Sequence, residues 1–154
     1  MDIQSGSSSS ASELCAPKRA ESPHHLAVHS PMVRTLRVLL VEDAPYLRYA
    51  FGRLLRMEGF DVKEVNDGQE ALDSLPEFRP DLVLTDLMMP VMGGVELIGR
   101  IRADARYASV PVVAITADVT DRAARKAREA GAVDVFTKPI DLAALLDRLR
   151  VLVH

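Results

Sequence analysis

The chain contains a single cysteine, Cys15, so neither an internal disulfide nor a thiolate metal cluster can be built from it. No apolar run approaches the roughly 20 residues of a membrane-spanning helix. The start also lacks the continuous apolar core of a secretory signal. Positive charge is not in surplus: 19 Lys and Arg face 22 Asp and Glu, a net charge of −3, which is no general nucleic-acid footprint. Glycine is missing where a nucleotide cradle would need it, because Glu42-Asp43-Ala44 follows the first apolar run. Flavin and dinucleotide chemistry is disfavoured on that ground. After the last apolar helix no recognition helix, basic arm or catalytic module follows. These absences predict a cytoplasmic, stand-alone domain that works by docking, without direct contact with nucleic acid or membrane.

Residues 1–35 differ from the rest. Ser7–Ser10, scattered proline and histidine, and no apolar periodicity leave too little to bury against the entropy of ordering, which predicts a disordered extension. Its acids (Asp2, Glu13, Glu21) balance its bases (Lys18, Arg19, Arg34), so it is not a basic arm. Residues 36–154 remain, about 120 residues and one ordinary domain.

From Leu36 onward, short β-rich runs alternate with 3.6-period stretches, the rhythm of βα units on a parallel sheet. Leu36–Val41 is nearly all apolar, as a strand covered on both faces should be. Asp43-Ala44-Pro45 opens a helix with a capping acid and an early proline, and Gly59 stops it. Asp61–Val65 alternates as an edge strand. A short helix through Ala71, Leu72 and Leu75 is expected to end at Pro76. Leu82–Thr85, Val112–Ile115 and Val133–Phe136 read as further strands. Leu97, Ile98 and Ile101 bury the third helix, whereas the fourth, near Thr120–Ala130, offers only Val119, Ala123, Ala127 and Ala130 inward. So light a stripe predicts a mobile helix, with Arg122, Arg125, Lys126 and Arg128 on its outer face. Five such units suggest a flavodoxin-like doubly wound sheet with five helices; the strand order 2-1-3-4-5 is an analogy.

Polar residues stand at the carboxyl ends of these strands: Glu42 and Asp43, Asp86, Thr116 and Lys138. In an open parallel sheet those ends meet at one edge, where ligands collect. Three acids, a hydroxyl and an amine at one edge suit a divalent cation and a phosphoryl group together. The plainer alternative for Asp43 is the N-cap of the first helix.

In that order and at those intervals, Glu42-Asp43, Asn66-Asp67-Gly68, the run Pro80–Gly94, Ile115-Thr116-Ala117, Gly131-Ala132 and Phe136–Pro139 resemble the receiver domain of bacterial two-component response regulators. The resemblance covers Leu36 to about Val153. It implies that Asp86 takes a phosphoryl group from a phosphohistidine on a sensor histidine kinase or histidine phosphotransfer protein. It implies that Asp43, Asp86 and the carbonyl of Met88 ligate Mg2+, or Mn2+, with Glu42 acting through water. Lys138 would neutralise one phosphoryl oxygen and Thr116 would donate to another. The Lys138–Pro139 peptide would be cis. The kinase would dock on the first helix near Tyr46, Leu47 and Ala50. The product is a phosphorylation-dependent switch whose surface at the fourth helix, fifth strand and fifth helix changes affinity for a downstream protein. Such a protein is no enzyme beyond its own phosphorylation and dephosphorylation, and is a monomer or a weak phosphorylation-linked dimer.

The family often carries an aromatic residue three positions before the lysine; here Val135 stands there, and Phe136 points to the opposite face by alternation. The readout is therefore expected through Ala117–Thr120 and the fourth helix. Met88 and Asp118 flank the phosphoryl site, one shielding it and the other orienting or repelling. Two alternatives remain: a pseudo-receiver that binds partners without phosphorylation, and the receiver part of a longer regulator. An aspartyl phosphatase would place a second acid two residues after Asp86, where Met88 stands.

Overall fold

The computed structural model describes residues 34–153, so the expected disorder of residues 1–35 lies almost wholly outside the described residues. The order is β1 (Arg37–Val41), α1 (Pro45–Met57), β2 (Asp61–Val65), α2 (Gly68–Phe78), β3 (Leu82–Asp86), α3 (Gly94–Ala103), β4 (Val112–Thr116), α4 (Asp121–Ala130), β5 (Asp134–Thr137) and α5 (Leu142–Leu152). All pairings are parallel, and the sheet runs β2-β1-β3-β4-β5. This is the flavodoxin-like doubly wound arrangement inferred above.

Alternation along the strands sorts the core into two layers. Leu39, Val41, Val65, Val83, Val112 and Ala114 face α2, α3 and α4. Val38, Leu40, Val62, Leu84, Val113 and Ile115 face α1 and α5, where Leu55, Leu145 and Leu149 are buried. Both faces of β1, β3 and β4 are thus covered, which is why those strands read as unbroken apolar runs.

Register places the strand ends. Asp86 lies opposite Ile115, and Thr116 lies opposite Thr137, with Lys138 next along the chain. Since β1 and β3 flank one another, Glu42 and Asp43 emerge beside Asp86.

Four local expectations need correction. First, α2 does not end at Pro76 but contains it and runs to Phe78. Pro76 forfeits only its own N–H bond, and one turn on Arg79 closes the helix at φ 50, its N–H donating to the Leu75 carbonyl. Second, the N-cap of α1 is Ala44, without a side-chain cap bond, so Asp43 is not spent on capping. Third, Val119 does not join the inward stripe of α4; it precedes the helix and is 80% exposed. Fourth, β5 begins at Asp134, one residue later than expected.

Candidate functional site

The strand-end residues converge. One carboxylate oxygen from each of Glu42, Asp43 and Asp86 lies within 4.8 Å of the others. The Lys138 ammonium donates to Asp86 Oδ2 at 2.9 Å and stands 3.8 Å from Glu42 Oε2. Glu42, Asp86 and Thr116 are buried, while Asp43 and Lys138 are partly exposed, so the cluster opens to solvent on one side.

Each side chain is held by the backbone that delivers it. The Glu42 N–H donates to the Val65 carbonyl, extending the β1–β2 ladder by one step. Its carboxylate accepts from Ala44 N–H at 3.3 Å, and its carbonyl accepts from the Arg48 guanidinium at 2.9 Å. Asp86 Oδ1 accepts from Met88 N–H at 2.9 Å, which folds the chain back over the end of β3. Gly94 makes that fold possible: a Cβ there would stand 2.4 Å from the Asp86 carbonyl oxygen. In the same loop Val91 sits at φ 70, a conformation that strains a β-branched residue. The Lys138 N–H donates to the Thr116 carbonyl at 2.8 Å, tying the lysine to the hydroxyl's own strand, and the Lys138–Pro139 peptide is cis. Thr116 Oγ accepts from Asp118 N–H at 3.0 Å, leaving its own proton free to donate.

Burial raises the Glu42 carboxyl to about 7, assisted by its hydrogen bond to Asp86 and the Asp86 charge, with Lys138 opposing. Burial pulls the Lys138 ammonium down, but its bond to Asp86 and the charges of Asp86, Glu42 and Asp43 outweigh that, and its pKa is raised overall. Three crowded carboxylates against one ammonium leave negative charge uncompensated. Hard oxygen donors at this spacing fit a small divalent cation such as Mg2+.

Met88 contributes its backbone here, since its side chain is 68% exposed and turned outward. Asp118 does not aim freely at the cluster: its carboxylate accepts from Thr120 N–H at 2.8 Å and from Thr120 Oγ at 2.6 Å. Val135 packs with the α2–α4 layer and Phe136 with the α1–α5 layer, as alternation predicts. Sequence reasoning missed two supports, Arg48 and Thr120. An Asp-x-Thr step before a helix was a readable signal for the second, because short side chains there bond the first free N–H groups. The bond from Arg48 to a carbonyl six residues earlier had no such signal.

Comparisons with known proteins agree with this geometry. A family model described as response regulator receiver domain matches residues 38–150. The DNA-binding response regulator MtrA of Mycolicibacterium smegmatis is 40% identical over 114 residues, 74% of this chain and 49% of MtrA. The sensory/regulatory protein RpfC of Xanthomonas campestris is 36% identical over 144 residues, 87% of this chain and 20% of RpfC. The chain therefore spans half or less of the length of these two relatives. Among solved structures, the chemotaxis response regulator CheY4 of Vibrio cholerae aligns with a TM-score of 0.71 at 28% identity, covering 77% of this chain and 98% of that one. A signal receiver domain of a histidine kinase from Syntrophus aciditrophicus aligns at 0.73 and 29% identity, covering 77% and 90%.

Proposed function

The chain belongs to the response regulator receiver family of two-component signalling, and from that premise we propose that it is a phosphorylation switch with Asp86 as phosphoacceptor. Receiver domains are signalling modules that interact with histidine kinases and bind Mg2+ at an acidic pocket. An Asp86 carboxylate oxygen attacks the phosphorus of a phosphohistidine. The P–O bond forms as the P–N bond breaks, and the imidazole leaves. The observation that carries this reading is the Lys138 ammonium, 2.9 Å from Asp86 Oδ2 and beside two further carboxylates. Lys138 neutralises charge on the incoming group, and the Thr116 hydroxyl donates to another of its oxygens. Asp43, Asp86 and the Met88 carbonyl would hold Mg2+ or Mn2+, with Glu42 acting through water. When bound, the ion offsets repulsion between the carboxylate and the phosphoryl oxygens.

The donor protein docks on α1. Leu47, Ala50, Phe51 and Leu54 form an apolar hollow of about 290 Å3 with Ile140 and Leu142 of the β5–α5 segment, close to the phosphoacceptor edge. Transfer ends when the phosphoryl charge favours the state with Thr116 and Lys138 drawn onto it, which shifts the α4–β5–α5 surface and its affinity for a downstream protein. Residues 36–154 form the receiver unit, and the switch itself acts through protein partners without nucleic acid. Among the described residues no helix is long and apolar enough to cross a membrane.

The test is acyl phosphate formation on the intact chain, read by mass spectrometry with acetyl phosphate, with and without Mg2+, and in Asp86→Asn. A Mg2+-dependent added phosphoryl group that vanishes in Asp86→Asn is expected. Absence of both adduct and Mg2+ binding would leave a pseudo-receiver that binds partners unmodified.

A further inference from the structure

Beside the acidic edge lies a second cleft, which shares Met88 and Asp118 with the surroundings of the phosphoryl site and otherwise runs away from it. It lies between the β3–α3 loop, the start of α3 and α4, encloses about 290 Å3, and is lined by Leu87, Met88, Val95, Asp118, Arg122, Ala123 and Lys126. Its floor is apolar and open to solvent: Met88 is 68% exposed and Val95 36%. Val91 and Val119, at 90% and 80%, stand in the two flanking loops. Within the cleft Met88 and Val95 form exposed apolar surface rimmed by Asp118, Arg122 and Lys126, the pattern of an interaction site.

The charge on this cleft is equally uncommitted. Arg100, Arg106, Arg128, Arg148 and Arg150 each pair with a carboxylate within 4.0 Å. Among the described residues Arg122, Arg125 and Lys126 of α4 have no such partner, and Arg122 and Lys126 form one wall of the cleft. Their nearest acid within it, Asp118, is turned onto Thr120. An apolar floor beside two unpaired cations one helical turn apart complements a partner that presents apolar side chains with carboxylates at the same spacing.

We propose that this α3–α4 cleft is a docking site for an acidic amphipathic helix of a partner protein. Its apolar residues sit on Met88, Val95 and Ala123, above the buried Leu87, and its carboxylates reach Arg122 and Lys126. A nucleic acid is the poorer fit. Phosphates would gain from only two cations in the cleft while facing apolar side chains, on a chain whose net charge is −3. The cleft is distinct from the hollow on α1 and needs no phosphoryl group to be tested.

The experiment titrates the full chain, without any phosphodonor, into a fluorescein-labelled helical peptide of about four turns. The peptide carries leucine on one face and glutamate on its flanks. A control peptide carries lysine in place of glutamate, and labelled oligothymidylate is a third probe. Binding is read by anisotropy, and circular dichroism establishes that each variant is folded. The glutamate peptide should bind at least about tenfold more tightly than the lysine peptide, and Arg122→Glu with Lys126→Glu should reverse that preference. Val95→Asp should weaken the glutamate peptide at least about fivefold, consistent with loss of apolar contact. Leu47→Asp on α1 should leave it unchanged. Equal binding of the two peptides, an α4 reversal without effect, or loss of binding in Leu47→Asp would overturn the proposal. So would oligothymidylate bound as tightly as the glutamate peptide. Because no phosphoryl transfer is read, failure here leaves the reading of Asp86 intact, and failure of that reading leaves this result standing.

Discussion

Helices α3 and α4 are neighbours on one face of the sheet and each has ten residues, yet they are attached differently. α3 buries Leu97, Ile98 and Ile101 completely. α4 buries Ala127 and half-buries Ala123, Ala124 and Ala130, while its other six residues are charged and exposed. Apolar burial scales with area at about 25 cal/mol per Å2, so a methyl stripe holds a helix far less firmly than three branched side chains. Part of the deficit is met from α3 itself. The Arg102 guanidinium donates to the Gly131 carbonyl at 3.0 and 2.8 Å, joining the end of α3 to the end of α4. Among the described residues the start of α4 has no equivalent clamp to α3; its bonds are the local ones between Asp118 and Thr120 and the Asp118 N–H to Thr116 Oγ. The end of α4 nearest Thr116 is thus the more lightly held end, and it is there that the proposed switch would act.

The strongest way to break this comparison is to remove packing from each helix in turn. Ile101→Ala should lower unfolding free energy by about 2–5 kcal/mol in urea titrations, with loss of buried methylenes and a residual cavity. Ala127→Gly should cost only about 1–2 kcal/mol, mostly through helix propensity and one methyl. Equal losses would show that α4 is anchored by something other than its alanine stripe.

Charge at the site offers a perturbation that should spare the contrast. Glu42 is raised from 4.5 to about 7, so the folded state holds its proton where the unfolded chain has released it. That group's cost is absent below about pH 4.5, grows as pH rises towards 7 and is complete above it. Without Mg2+, stability should therefore fall by on the order of 1–3 kcal/mol between pH 5 and 8. Glu42→Gln should flatten that slope, and saturating Mg2+ should reduce it. A slope unchanged in Glu42→Gln would assign it to another group.

Hydrogen exchange sharpens the comparison directly. Amides in the first half of α4 should open at a free energy about 1–2 kcal/mol below those of α3, that is, exchange about five- to thirtyfold faster in the same sample. Indistinguishable protection would contradict light anchoring. The smallest effect expected is that of Thr120→Ala, which releases Asp118. Global stability should drop by about 0.5–1 kcal/mol, with the increase in exchange confined to the start of α4.

Much of this was legible beforehand. Periodicity separates the strands from the helices, and the strand-end positions of Glu42, Asp43, Asp86, Thr116 and Lys138 mark the candidate site in the sequence alone. Val135 and Phe136 fell on opposite faces as alternation requires, because a strand's period of two is fixed by its backbone. Pro76 misled because a proline near a helix end removes one bond that the following turn can do without. Val119 departs from the alanine stripe because it precedes the first helical residue, where the 3.6-residue period does not hold. Asp43 reads as a cap because an acid just ahead of a helix suits that position as well as it suits the strand-end cluster it joins.

Local periodicity and residue type suffice for the set of elements, their apolar faces and the chemical groups at their ends. Which of those groups touch depends on packing. Contact between Lys138 and Asp86 spans 52 positions of chain and rests on parallel register across β3, β4 and β5. The same holds for the raised carboxyl of Glu42 and for the cleft that unites Met88 and Val95 with Arg122 and Lys126. Burial and proximity arise only when segments distant in the chain are packed together, and no local pattern encodes them.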